Sequence, residues 1–424
     1  MKNEIKSQYS FHYAWVILIV ASLILGVYVP VVNALSNSWQ LAVTSELGFS
    51  RTAFSLTVTI TQAVGIFLGP IISFFLTKYN FKRIWTCAAT VFSLGVYGYS
   101  MAQNQYHFYI LSFVVGASYI TTAQIPMMML INNWFQEKRG LATSIAVSGI
   151  SAGGAILSPI ISGLIRDFGW RTSYRVYALI IFLLALVAGL FLIYLRPEDK
   201  GLKPYGYKDY DVNNKDKAKD SNKSLNVGLS ISASITCSFF IFLIIGSVTN
   251  GLSNGASLQF PPALQEACGF ATASKVVSFY LLLGVVGKLS IGKIADKYGI
   301  YRALILGSLI FSLTFICMLF INRIWGPWIF AVVFGFGLSM GSVFPPLITS
   351  SIFNRDMYGE AYSFVQSGMQ IGAALGPLLV SHIFDSSGAY TLAWILNFIF
   401  ALLTAVFWFL AHKSSKKYEN RSEK

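Results

Sequence analysis

Apolar runs of about 20 residues recur twelve times along this chain of 424 residues, and they leave few folds open to it. A helix rises about 1.5 Å per residue, so runs such as 173–195 and 390–411 are long enough to cross the hydrocarbon core of a bilayer. Peptide groups find no water there, so each run must satisfy its own backbone as a helix. Spans are predicted near 14–38, 52–76, 84–102, 108–132, 140–165, 173–195, 228–256, 273–294, 303–321, 327–350, 359–384 and 390–411. With 55% hydrophobic and only 11% charged residues, the chain has too little polar surface for a water-soluble protein of this length. The fold class that follows is an all-α membrane protein with twelve transmembrane helices.

The charges set an orientation. A formal net charge of +14 would suit a nucleic-acid binder if it gathered on one face, but here it follows the loops. Arg51, Arg166, Arg171, Arg175, Lys275 and Arg323 fall on one side, Lys288 lies within a span, and the other 24 Lys and Arg fall on the opposite side. Basic loops stay in the cytoplasm, so both termini are expected there. Residues 1–11 are short and polar, and the first span lacks a small-residue cleavage site, so it reads as a retained helix. Residues 196–223 carry eight basic and six acidic residues with Pro197, Gly201, Pro204 and Gly206, as a solvated linker does. The expected organisation is a six-helix bundle over 1–195, a cytoplasmic linker over 196–226, a second six-helix bundle over 227–412 and a cytoplasmic tail over 413–424.

Shifting the sequence by 219 residues superposes the two halves. Tyr79 falls on Tyr298, Arg83 on Arg302, Gly116 on Gly335, Pro126 on Pro345, Gly140 on Gly359, Gly149 on Gly368, Gly153 on Gly372 and Gly169 on Gly388. A constant register across so many loops implies a parallel internal repeat, a common build for transporters, with the binding site between the repeats.

The run Gly292-Lys293-Ile294-Ala295-Asp296-Lys297-Tyr298-Gly299, followed by Arg302, resembles the loop motif of the major facilitator superfamily. The matching loop of the first half keeps Lys78 and Arg83 but has Thr77 at the acidic position and Asn80 at the glycine. The resemblance implies that Asp296, with Lys297, Gly299, Arg302, Lys78 and Arg83, ties neighbouring helix ends together and sets the balance of access states. The stretch from Asn133-Trp134-Phe135 through Ser148-Gly149 and Pro159 to Gly169-Trp170-Arg171 is similar to the monocarboxylate transporter and oxalate:formate antiporter group. Gly149, Gly153 and Gly154 are expected to bring helices close, and Pro159 to kink the fifth span.

Lys288 is the strongest candidate for chemistry. It is the one basic residue deep in a predicted span, eight residues before Asp296 and so about 12 Å from the helix end. An intramembrane cation is expensive unless partnered, and it marks a substrate or ion path. The group resemblance implies a carboxylate-binding cation at this position, usually arginine; lysine keeps the charge but loses the bidentate fork. Two departures narrow the substrate. Gly284 stands where proton-coupled relatives carry an acid, and Gln366 and Gln370 stand in the region where oxalate exchangers carry a second cation. Asn33, Gln62, Gln124, Asn250, Asn254, Gln366 and Gln370 are expected to offer hydrogen bonds to a central cavity, and Gly335, Gly337 and Gly341 to leave it room.

The expected function is secondary active transport of a carboxylate or other organic anion, with a counter-transported anion or proton. The alternatives are a drug or solute exporter of the same fold and a carrier of a larger amphipathic acid such as a bile acid. Neither an enzyme nor a cofactor is expected, since the sequence has no GxSxG, HExxH or P-loop pattern. Cys87, Cys237, Cys268 and Cys317 lack any CxxC or close pair, and scattered histidines suggest no metal site. A monomer surrounded by lipid, in the cell membrane of a bacterium, completes the expectation.

Overall fold

The computed structural model describes residues 12–33, 35–207 and 231–418. Among the described residues the ordered elements are helices, apart from one isolated bridge between Phe135 and Tyr205. The first half runs α1 (Tyr13–Val32), α2 (Ser36–Leu47), α3 (Arg51–Lys78), α4 (Phe81–Tyr99), α5 (Gln105–Thr122), α6 (Gln124–Trp134) and α7 (Arg139–Val187). The second half runs α8 (Ser238–Ala256), α9 (Phe260–Cys268), α10 (Phe270–Tyr298), α11 (Ile300–Leu319), α12 (Gly326–Gly337), α13 (Phe344–Ile352), α14 (Tyr358–Ser387) and α15 (Thr391–Ser415). Nine stretches among the described residues, from Tyr13–Val32 to Thr391–Tyr418, are long and apolar enough to cross a membrane. The protein is a multi-pass membrane protein. Large apolar side chains such as Phe67, Ile110, Phe191 and Leu378 point outward, where a bilayer covers what water would leave uncovered. The expected linker from 208 to 226, the start of the seventh expected span and the expected tail from 419 onward lie outside the described residues.

Local chemistry sets the helix ends. Ser50, Asn80 and Asn104 accept the backbone N–H groups of Ala53, Arg83 and His107 at 3.1, 3.1 and 3.0 Å, each capping the helix that follows. Asn80 therefore starts α4 by capping it, whereas its repeat partner Gly299 starts α11 by adopting φ 86°. The 219-residue register recurs in space. α4 begins at Phe81 and α11 at Ile300, and α7 begins at Arg139 and α14 at Tyr358. α7 carries Pro159 inside it and is divided into two segments at Gly169, whose φ of 80° and ψ of 162° make the turn between the fifth and sixth expected spans.

Close helix approach is built on small residues. Gly149 and Gly153 of α7 face Ser22 and Gly26 of α1, and a Cβ on either would collide with the α1 backbone. The second half repeats the device, with Gly251 and Gly255 of α8 against Met369 and Ala373 of α14. Two glycine expectations need correction. Gly154 faces open space and packs on nothing, whereas Gly335, Gly337 and Gly341 are filled by Leu283, Phe311 and Asn254 and leave no room.

Gly153→Leu is expected to overpack α1 against α7, at a cost of about 1–3 kcal/mol or more, while Gly154→Ala, which meets open space inside a helix, leaves stability equal or raised by up to about 1 kcal/mol. Thermal unfolding of the purified protein in one detergent would compare them.

Candidate functional site

Two seams join the halves, and at the end where the linker leaves, the first is locked by a helix cap. Asp296, in the last turns of α10, accepts the backbone N–H of Gly140 at 2.7 Å through Oδ1 and that of Leu141 at 2.8 Å through Oδ2. These are donors that the first turn of α7 cannot satisfy itself, and Lys138 before them offers no side-chain cap. A carboxylate of the second half thus caps a helix of the first, where the helix dipole favours negative charge. The contact requires glycine on both sides, because a Cβ on Gly140 or Gly292 would run into the other's carbonyl.

The repeat-related corner is built differently. Thr77 lies beside Gly359 at the start of α14, but its hydroxyl is spent on the carbonyls of Phe74 and Ser73. Charge between the halves comes from the linker instead. Arg355 donates to both carboxylate oxygens of Glu198 at 2.9 Å and to Asn133 Oδ1 at 3.1 Å, and Arg196 pairs with Asp356 at 3.0 Å. The Arg355 guanidinium holds the Glu198 carboxyl below the usual carboxylate range. Tyr205 anchors this segment to the first half, donating its N–H to the Trp134 carbonyl at 2.8 Å. The start of the expected solvated linker is therefore a docked strap. Of the remaining motif residues, Lys297 lies over the Tyr298 ring and Lys78 over the Phe74 ring, and Arg83 and Arg302 are exposed. They carry charge at this end without joining the latch.

Further along the same seam the helices part, and Lys288 lies next to the opening, joined to its edge through Ser151. Its Nζ donates to Ser151 Oγ of α7 at 2.9 Å, the residue is only 5% exposed, and among the described residues it joins no ion pair. Beyond it lies a cavity of about 830 Å³ between α7 and α10, walled by Ile150, Ala155, Ile156, Leu281, Leu282 and Val285, with Ser151 at its edge. Ser278, Leu281, Leu282, Val285 and Lys288 follow helical spacing, so one face of α10 carries both the apolar wall and the cation.

The other expected site residues are not gathered there. Asn250 donates to the Met340 carbonyl at 3.1 Å, in the break between α12 and α13, and Asn254 donates to Asn250 at 2.8 and 2.9 Å. Those donors brace a helix break, satisfying a carbonyl that lost its helical partner. Asn33 accepts from Gln62 at 2.9 Å at the break after α1. Gln124 opens α6 at another break and interacts with Tyr362, to whose hydroxyl Gln366 donates. Gln370 is pressed against Gly65 on the second seam, between α3 and α14, with its Oε1 unpartnered. Sequence reasoning missed Ser151 and the apolar wall. The helical spacing of Ser278 to Lys288 was the available signal, but nothing in it says what faces it.

Two repeated helical halves, latched at one end and parted over a buried cation, are the build of a membrane carrier. The family model of the Major Facilitator Superfamily matches residues 14–352 and 243–424, and the chain belongs to that superfamily of transporters. An MFS-type transporter of Gibberella moniliformis is 29% identical over 199 residues, 45% of each chain. The Fujikurins efflux protein of Gibberella fujikuroi is 30% identical over 31% of this chain and 28% of its own. The chain thus spans less than half the length of these two relatives. Monocarboxylate transporter 11 of Mus musculus is 22% identical over 82% of this chain and 75% of its own. The fold is shared with the transporter FucP in its outward conformation, at a TM-score of 0.70 and 14% identity over 94% of this chain and 99% of that one. The proton:xylose symporter XylE is similar at a TM-score of 0.67 and 15% identity, over 94% and 95%. Relatives occur in fungi, animals and a bacterium and select no source for this chain.

Asp296→Asn removes the charge from the cap, which is worth about 1–2 kcal/mol, so the ratio of linker-end-closed to open states is expected to fall about 5- to 30-fold. Thr77→Asp should move it less. Labelling rates of a single cysteine at position 144, buried beneath the latch, would measure both. The strap is also sensitive to acid. Because Glu198 is held below its ordinary value of 4.5, its contribution to closure is full above that value and is lost as pH falls through the lowered one. Labelling at position 144, taken relative to an exposed cysteine at the same pH because the thiolate is the reacting form, is expected to stay constant from pH 7 to pH 5 and to rise below about 4.5, with a smaller rise in high salt, which already screens the pair.

Proposed function

We propose that the protein is a secondary transporter that moves an organic carboxylate across a membrane by alternating access, with Lys288 supplying the counter-charge. One observation carries this reading. A lysine buried at the seam of the two halves, with a hydroxyl and, among the described residues, no carboxylate for company, is costly unless an anionic ligand offsets it. The similarity to monocarboxylate transporters supports it.

The topology proposed with it has twelve passes. Arg139–Leu192 counts as two passes meeting at Gly169, α4 is one more, and the broken pair α12 and α13 forms another. The basic residues crowd toward the linker end, which supports a cytoplasmic linker and termini. With that end latched and the cavity open beyond Lys288, this conformation corresponds to the outward-facing state. Gly284 in place of an acid favours anion exchange over proton symport through a Lys288 pair. A second reading, export of a solute, is favoured by the fungal efflux relative.

Lys288→Ala is expected to abolish carboxylate uptake into proteoliposomes while the protein still folds and inserts. Losing one member of a buried charge pair costs about 3–5 kcal/mol, so binding should weaken about 100-fold or more. Lys288→Arg should retain part of the uptake, since the charge is kept. Normal carboxylate uptake by Lys288→Ala at matched expression would overturn the reading, and efflux of uncharged or cationic solutes by both proteins would favour export.

A further inference from the structure

We infer that the ligand of this site is an amphipathic monoanion, a single carboxylate on a large apolar body, and that it lies in the cleft between α7 and α10 with its charge toward Lys288. This rests on the proposed role of Lys288 and goes further by naming the ligand class. Three observations carry it. The cavity above the lysine, about 830 Å³, lies near the upper end of sites that hold drug-sized ligands, so a two- or three-carbon acid would leave most of it empty. Its walls are Leu35, Ile150, Ala155, Ile156, Leu281 and Val285, with hydroxyls only at Ser151, Ser158 and Ser278. A small hydrated acid gains little from such walls, whereas apolar surface moved onto them from water gains about 25 cal/mol per Å². The charge is also single, because among the described residues no Lys or Arg lines the cavity itself and Lys288 reaches its edge through Ser151. A dianion of any size would bring a second charge into the apolar part with nothing to receive it.

The cleft is also open at its side. Ile156 is 63% exposed and Leu282 67% exposed, on the two helices that flank it. Gly154 contributes no side chain toward this space, which keeps the α7 wall low between Ile150 and Ser158. The seam is closed by the glycine contact at Gly140 and Gly292 and by the Lys288–Ser151 bond, and it widens from there. An amphipathic acid concentrated in the bilayer can therefore slide its apolar body between the helices while its carboxylate tracks toward the lysine. Ser151 exchanges its bond to Nζ for one to the ligand.

Binding to the full-length protein in lipid nanodiscs would test this with two radiolabelled probes, propionate and dodecanoate, the Lys288→Ala variant serving as background for each. Dodecanoate is expected to bind at least 100-fold more tightly than propionate, and decanedioate to compete at least tenfold less well than decanoate. Ala155→Phe, which fills the cleft one helical turn beyond Ser151, should weaken dodecanoate at least tenfold and leave propionate within twofold. Ser278→Phe gives a second filling variant should Ala155→Phe fail to fold. Equal affinity for both probes, or dodecanoate binding that neither variant weakens, would overturn the inference while Lys288-dependent propionate binding still upheld the carboxylate site. Binding of neither probe above the Lys288→Ala background would overturn both.

Discussion

Two helical halves have to meet tightly at one end of a seam and part along the rest of it, and everything else in this protein depends on how that contact is made. It is made by backbone. The carbonyls of Gly140 and Gly292 approach so closely that no side chain fits, and Asp296 then caps the two N–H groups left open at the start of α7. Between apolar helices in a bilayer there is no hydrophobic force to drive association, so small residues and satisfied polar groups must hold the interface. A backbone-to-carboxylate contact suits a joint that has to open. It is strong in one geometry and leaves no mismatched side chains when broken.

The same economy of polar groups runs through the interrupted helices. The chain breaks after α1, between α5 and α6, and between α12 and α13, and near two of these breaks an amide from a neighbouring helix takes part. Asn250 reaches the Met340 carbonyl, and Gln62 reaches Asn33. Irregular backbone at membrane depth survives only where protein or a water-filled cavity serves it. Amides of the kind that sequence reasoning assigns to a ligand are therefore in part the means by which the helices can bend. Lys288 stands apart from them: among the described residues one hydroxyl accepts one of its three donors and no carboxylate pairs its charge.

The two latch corners show how a repeat diverges. The first half has a threonine where the second has Asp296, and the missing charge is replaced by a strap of linker residues bonded to Arg355 and Asp356. Ion pairs this exposed are individually weak and screened by salt, so the strap is the softer of the two fastenings. One seam is thus pinned by a cap and the other by solvent-sensitive charge.

Much was legible in the sequence because lipid imposes a strict rule on it: a chain that crosses a bilayer must do so in apolar helical runs, and a repeat keeps its register through every loop. The membrane class, the 219-residue offset, the superfamily motif with Asp296 at its centre, and the isolation of Lys288 all follow from composition and spacing along one dimension. Which groups face one another does not, because that depends on how helices rotate and cross. Only the folded protein turned Ser151 toward Lys288, gave Asn250 to a broken helix, filled the space beside Gly335 with Leu283, left Gly154 open on a cleft, and docked Glu198 on Arg355. A helix sequence fixes its own faces but not its neighbours, and the site is made by the neighbours.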